Sequence, residues 1–270
     1  MRIATWNVNS VRTRINRVTD LLTRHDIDVL TLQETKTTDK NFPYAAVEAA
    51  GYEVAHLGLS QWNGVAIASR IGLEDITTQF PDQPGFHKDP LQPQDIEARA
   101  IGATCGGVRV WSLYVPNGRE IADPHYDYKL RWLDALAKAV EDDLRRTPER
   151  QLVLTGDFNI APRDEDVWDM AFFEGKTHVT EPERVAFEAL LDAGLQEVTR
   201  SFTEGQFTYW DYQQMRFQRG QGMRIDFQLA SKSVRAVHAF VDTEERSTKG
   251  ASDHAPVIVD YETARIDDVR

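Results

Sequence analysis

Sulfur is nearly missing from this chain, which has one cysteine, Cys105, in 270 residues. That scarcity excludes a disulfide framework and a thiolate-rich metal site, leaving any metal to oxygen and imidazole donors. A reducing compartment fits. Long apolar runs are also missing, since none approaches the roughly 18 residues of a membrane span. Met1 to Trp6 begins directly in strand-like sequence without the apolar core of an export signal, so the expected location is the cytoplasm. No linker-like or low-complexity stretch divides the chain, and one large domain over 1–262 with a polar tail over 263–270 is expected. Hydrophobic residues at 41% and charged residues at 27% are those of an ordinary soluble globular protein.

Acidic side chains are missing only locally. The formal net charge is −12, which argues against a polyanionic partner. Yet Met1 to Thr19 holds no Asp or Glu and four arginines, Arg2, Arg12, Arg14 and Arg17. Tyr212 to Ile225 is a second acid-free stretch, with Arg216, Arg219 and Arg224. Two basic segments in an acidic chain are able to face one polyanion while the remainder keeps the protein soluble.

What is present is a series of strands that end in polar groups. Ile3–Val8 reads as a strand closing at Asn7-Val8-Asn9-Ser10, followed by a helix with apolar positions Ile15, Val18, Leu21 and Leu22. Asp28–Leu32 is a strand stopping at Gln33-Glu34-Thr35-Lys36, and Gly64–Ala68 is another. Phe80 to Gln94 holds four prolines and reads as a surface loop. Ala98–Thr104 and Val108–Val115 form a hairpin turned by Gly106-Gly107. A helix with Leu130, Leu133, Leu136, Ala137, Val140 and Leu144 on one stripe comes next, then a buried strand, Gln151–Thr155, ending at Gly156-Asp157-Phe158-Asn159. Arg163 to Gly175 reads as irregular, Pro182–Leu191 as a helix stopped by Gly194, and strands are expected over Phe207–Trp210, Ile225–Ala230, Val234–Val241 and Val257–Val259. Sheets packed together with helices outside are the architecture this order favours.

Asn7, Glu34, Tyr114, Asp157, Asn159, Asp226, Asp253 and His254 all lie at or just beyond the edge of an expected strand. A rigid sheet can gather such edges at one rim. Glu34, Asp157, Asp226 and Asp253 would repel one another if clustered, and a hard cation such as Mg²⁺ relieves that, with Glu34 as principal ligand and Asn7 or Asp253 nearby. His254, in Ser252-Asp253-His254-Ala255-Pro256, needs an orienting partner. Asp226, set between apolar Ile225 and Phe227, needs one as well. Asp157 is placed to orient or deprotonate water, Asn159 to hold its carboxylate or a phosphate, and Tyr114 and Asn117 to donate to phosphate. Taken singly, Gly-Asp-Phe-Asn and Tyr-Val-Pro-Asn-Gly also serve as ordinary turns.

As a set, Trp6-Asn7-Val8-Asn9, Leu32-Gln33-Glu34-Thr35-Lys36, Tyr114-Val115-Pro116-Asn117-Gly118, Gly156-Asp157-Phe158-Asn159, Arg224-Ile225-Asp226-Phe227 and Ser252-Asp253-His254-Ala255-Pro256 resemble the successive motifs of exonuclease III-type apurinic/apyrimidinic endonucleases. The motifs follow that family's order, and Phe207 to Tyr212 adds to the likeness. The resemblance implies a four-layered α/β sandwich, two packed, mainly antiparallel or mixed sheets flanked by helices, with one Mg²⁺- or Mn²⁺-dependent site. It implies a catalytic set of Tyr114, Asp157, Asn159, Asp226, Asp253 and His254, and a metal-site set of Asn7, Glu34, Asp157, Asn159, Asp253 and His254. The implied DNA contacts are Asn9, Arg12, Arg14, Lys36, Asn117, Trp210, Arg216, Phe217 and Met223, with Arg17 and Arg219 as further phosphate contacts. The implied partner of this nucleoid-associated monomer is duplex DNA, cut 5′ to abasic sites and trimmed of nucleotides or blocking groups at 3′ ends. Two positions depart from some relatives: Asn9 stands where they carry a carboxylate, and Met223 where they place an aromatic wedge. A non-catalytic nucleic-acid-binding regulator on the same fold and a phosphoesterase acting on a non-DNA substrate are the alternatives.

Overall fold

In this computed structural model residues 1–262 are described, and the tail expected over 263–270 lies outside them. In chain order the strands are β1 (Arg2–Asn7), β2 (Val29–Gln33), β3 (Glu53–Leu57), β4 (Val65–Ser69), β5 (Glu74–Thr77), β6 (Ala100–Cys105), β7 (Val108–Tyr114), β8 (Leu152–Asp157), β9 (Leu195–Glu197), β10 (Asp226–Ser231), β11 (Arg235–Val241) and β12 (Val257–Glu262). The α-helices are α1 (Val11–Arg24), α2 (Tyr44–Ala49), α3 (Pro124–Arg146), α4 (Met170–Phe173), α5 (Glu181–Asp192) and α6 (Thr243–Ser247). The strands form two six-stranded sheets, ordered β11-β12-β1-β2-β4-β3 and β5-β6-β7-β8-β10-β9.

Alternation along the strands sorts side chains into layers. Ile3, Val29, Val65 and Ile67 face the second sheet across a shared core with Val110 and Val153. Their neighbours Ala4, Leu30, Ala66 and Ala68 point the other way, onto the stripe of α1 formed by Val18, Leu21 and Leu22. On the far side Leu152, Leu154 and Phe227 meet Trp132, Leu133 and Leu136 of α3 and Phe187 and Leu190 of α5. The result is the expected sandwich, helix–sheet–sheet–helix. Asp123 caps α3 by accepting from His125 N at 2.8 Å, with Pro124 in the first turn. Thr180 and Glu183 form a capping box on α5.

The core between the sheets carries a polar seam. Thr31 Oγ1 meets Thr155 Oγ1 at 2.6 Å, and Gln33 Nε2 donates to Ser112 Oγ at 3.0 Å. Gln228 Nε2 donates to Ile3 O and Val257 O, and Tyr261 OH donates to Gln228 Oε1 at 2.9 Å. These groups are buried and pair across the sheets, so they index one sheet against the other as apolar contacts alone do not.

Each sheet contains one parallel pair, β1 with β2 and β7 with β8, among antiparallel neighbours. The carboxyl ends of those four strands therefore emerge at one rim, joined by the amino ends of the antiparallel β10 and β12. Register places Tyr114 beside Asp157, and Asp157 opposite Asp226. Gly156, just before, has φ +145° and a Cβ built there would lie 1.9 Å from Leu113 O, so a glycine is required.

Short elements escaped the sequence reading: β3, β5 and β9, and α2, α4 and α6. All four residues of β5 are exposed, so it lacks the alternation that marks a strand. Phe207–Trp210, expected as a strand, is corrected to two isolated bridges at Tyr209, to Met223 and to His254. The Thr208 hydroxyl instead bonds Asp226 and the Ile225 and Asp226 amides.

Candidate active site

His254 is buried at the entrance to β12, its carbonyl held by Trp6 Nε1 at 3.0 Å. Ser252 Oγ donates to Asn7 O at 2.7 Å, tying this loop to the end of β1. His254 Nδ1 lies 2.9 Å from Asp226 Oδ2, which also accepts from Thr208 Oγ1 at 2.6 Å. Nε2 faces Asp157 Oδ2 at 3.8 Å. Burial opposes charge on the imidazole, yet the Asp226 and Asp157 carboxylates raise its pKa to about 10. The two carboxylates thus favour the imidazolium form, which Asp226 fixes at one nitrogen while the other is directed at the rim.

Asn7 Nδ2 donates at 2.9 Å both to Glu34 Oε1 and to Asp157 Oδ2, linking the two sheets' carboxylates. Burial lifts Asp157 to about 7; the His254 charge opposes the rise, and Asp226 and Glu34 add to it. Burial alone would raise Glu34, but the Lys36 charge and the Asn7 bond carry it below its ordinary value. Glu34 and Lys36 both take left-handed backbone, φ 51°, which aims the loop after β2 inward. Lys36 Nζ lies 2.6 Å from both Glu34 Oε2 and Asn9 Oδ1, and Asn9 Nδ2 donates to Asp253 Oδ1 at 2.9 Å.

A cleft of about 170 Å³ opens over these groups, lined also by Asn117, Asn159, His178, Tyr209, Met223, Ile225 and Asp253. Asn159 N donates to Asp157 Oδ1 at 2.9 Å, which fixes that carboxylate. Burial and then the Glu34 charge hold the Tyr114 phenol protonated, as a donor. His178 and Tyr209 were missed in the sequence. His178, at φ 80°, sets Nε2 3.2 Å from Asn159 Oδ1, and burial followed by the Lys129 charge lowers its pKa to about 4, leaving it neutral. Tyr209 lays its ring on His254 with centroids 4.8 Å apart. Only the unusual pairing of a histidine with Lys176 and Thr177 in an otherwise irregular stretch offered a signal for His178.

Several expected roles need correction. Asn159 spends its side chain internally, donating to Val115 O at 3.0 Å and accepting from Asn117 Nδ2 at 3.0 Å. His254 Nδ1 is taken by Asp226, which leaves Nε2 as the ring atom that faces Asp157 and the cleft. Arg14 is buried, donating to the carbonyls of Val8, Asn9, Gly250 and Ala251 and to Tyr212 OH. Arg17 bonds Glu245, Thr248 and Lys249 O. Trp210 is buried, and Phe217 packs edge-on against it beneath Arg246. Met223 is buried with Val167, Phe173 and Ile225, forming cleft wall rather than a protruding wedge. Arg12 and Arg219 are exposed, and half-buried Arg216 lies over the Trp168 and Phe172 rings.

Donor atoms of Glu34, Asp157 and His254 lie within 4.8 Å of one another. Two of these three are carboxylates, and with the Asn7 amide beside them the set is oxygen-rich, which suits a hard divalent cation.

A family model described as the endonuclease/exonuclease/phosphatase family matches residues 4–254. Exodeoxyribonuclease III of Haemophilus influenzae is 26% identical, with 97% of this chain and 100% of that protein covered. Among solved structures, the 3′-5′ exonuclease NExo from Neisseria meningitidis superposes with a TM-score of 0.88 at 38% identity, covering 97% of this chain and 100% of that one. An AP endonuclease from Archaeoglobus fulgidus gives 0.88 at 33% identity over the same shares. Matched by the family model over residues 4–254 and by these relatives over 97% of its length, this chain belongs to the endonuclease/exonuclease/phosphatase family and, within it, to the exonuclease III type of nuclease.

Proposed function

We propose that this protein is a Mg²⁺-dependent DNA-repair phosphodiesterase, with Mn²⁺ as an alternative ion, that cuts 5′ to abasic sites and removes nucleotides or blocking groups from 3′ ends. The observation that carries the reading is the Asp226–His254–Asp157 line meeting Glu34 and Asn7 in one cleft. All these activities break the same bond, between phosphorus and O3′, so one site serves them. The relatives support both substrates, since one neighbour is a 3′-5′ exonuclease and another an AP endonuclease.

Asp157 orients the attacking water and takes its proton, which its raised affinity for protons favours. His254, charged and held by Asp226, faces the phosphate and stabilises the negative charge that grows there. Tyr114 and Asn117 donate to the phosphate oxygens, and Asp253, bonded to Asn9, serves near the metal or the leaving group. A divalent ion held by Glu34 beside Asn7 would neutralise the phosphate and draw off charge from the leaving oxygen. Selectivity would come from flipping the abasic sugar into this cleft, which is easier where no base is stacked.

The test is gel-resolved cleavage of a duplex with one internal abasic-site analogue, in Mg²⁺ and in EDTA. Wild type should incise on the 5′ side only with Mg²⁺, and Asp157→Asn and His254→Ala should each lose at least about 100-fold. Undamaged and 3′-phosphorylated ends in the same tube report the share of 3′ work. A folded, Mg²⁺-loaded wild type that cleaves none of these substrates would refute the reading, and inhibition by lipid head groups but not by duplex DNA would point to another phosphoester.

A further inference from the structure

Lys129 and Glu183 form an ion pair in which neither side chain is exposed. The pair sits behind the cleft, where α3 and α5 meet the loops that follow β7 and β8. The three protons of the Lys129 ammonium have three acceptors: Glu183 Oε1, Asn159 O at 2.6 Å and Asn117 O at 3.3 Å. Glu183 in turn accepts from Thr180 N at 3.1 Å and Thr180 Oγ1 at 2.7 Å through its other oxygen. Neither residue of the pair lines the cleft. Its two carbonyl partners nevertheless belong to the two asparagines that do.

A buried ion pair is a poor source of stability, because desolvation of both charges offsets most of their attraction. What it supplies is direction, since an ammonium with three fixed acceptors holds three segments at set separations. Asn117 Nδ2 donates to Asn159 Oδ1 at 3.0 Å, so the side chains are as coupled as their carbonyls. Asn159 also carries the amide that fixes Asp157.

We infer that Lys129 and Glu183 are positioning residues: the ammonium grips the Asn117 and Asn159 carbonyls and so sets how both side-chain amides, and through Asn159 N the Asp157 carboxylate, face the substrate phosphate. The catalytic consequence rests on the phosphodiesterase reading; the geometric one does not. The pair therefore differs from the groups that touch substrate, and its loss misaims them without removing them.

The experiment uses the full chain and the variant K129M/E183Q, which removes both charges while the E183Q change leaves an amide oxygen to accept from the Thr180 cap. The first readout is the side-chain amide signals of Asn117 and Asn159 in ¹H–¹⁵N spectra of metal-free protein. Those two should shift and lose protection from exchange, while the Asn41 amide, exposed and bonded to Thr38 Oγ1, stays put. Unchanged Asn117 and Asn159 signals in a folded variant overturn the inference. If K129M/E183Q does not fold, Lys129→Arg keeps the charge but replaces a tetrahedral donor by a planar one, and the same two signals are expected to move. The second readout is turnover. K129M/E183Q should lose about 100-fold in kcat, the scale of a misplacement near 1 Å, and adding Asn159→Ala should cost little more. Full multiplication of the two losses, or turnover within about threefold of wild type, overturns the positioning role. Wild-type protein inactive on DNA defeats the phosphodiesterase reading but leaves the amide readout to decide the geometry.

Discussion

At the scale of the residue, the site works by holding like charges together and giving one cation the task of offsetting them. His254 is the residue most exposed to this balance. Its folded pKa, about 10, lies above the ordinary histidine value of 6.5, so its stabilising contribution is fully present below pH 6.5 and is lost as pH rises toward 10. In metal-free protein an NMR titration should find the ring protonated at about pH 8. Asp226→Asn removes the first carboxylate and should bring the titration down by at least about a unit, with turnover falling about 100-fold or more as the tautomer is released. A ring already neutral at that pH in the wild type would contradict the assignment. Much of this was legible beforehand, because a carboxylate between Ile225 and Phe227 had to find a partner and His254 needed one. Arg14 was not legible: its acceptors are carbonyls of loops up to 237 positions away, and an acid-free stretch does not reveal that an arginine has been recruited to hold backbone.

At the scale of the element, strand ends were readable and the loops between them were not. β1, β2, β7 and β8 announce themselves by apolar runs that stop at polar groups, and parallel pairing then delivers those groups to one rim. Loop conformation depends on contacts with other loops. Gly64, at the entry to β4, shows this: at φ +112° a Cβ would lie 2.1 Å from Thr35 Oγ1, in the residue after Glu34. Thr35 N also donates to Gly64 O at 3.1 Å. Gly64→Ala should destabilise the fold by about 1–3 kcal/mol, measured by urea unfolding. On the proposed function it should also weaken activation by Mg²⁺, since Glu34 turns on the displaced backbone. A variant with wild-type midpoint and wild-type Mg²⁺ dependence would show that the loop absorbs the methyl freely.

At the scale of the whole molecule, the chain is acidic and many of its rim arginines are already engaged. Of the five expected phosphate contacts, Arg14 and Arg17 already bond groups of the protein itself, leaving Arg12, Arg216 and Arg219. Binding of duplex DNA should therefore release few counterions. With about three phosphates neutralised, log affinity against log salt should have a slope of about −3. Fluorescence anisotropy in Ca²⁺ from about 50 to 200 mM salt measures it, and a slope steeper than about −6 would mean that other cations carry the contact. Charge balance of this kind is invisible in a count of net charge, because it depends on which arginines have found partners within the protein.

The seam of threonines, glutamines and Tyr261 between the sheets has a mechanical consequence. Hydrogen bonds at fixed positions resist shear as a keyed joint does, so the two halves of the rim, one carrying Glu34 and the other Asp157, cannot slide past each other without leaving buried donors stranded. The protein then has little compliance to offer a substrate of the wrong shape. The work of fitting falls on the substrate, and on the proposed function a duplex weakened by a missing base or a free end is the one that yields most easily.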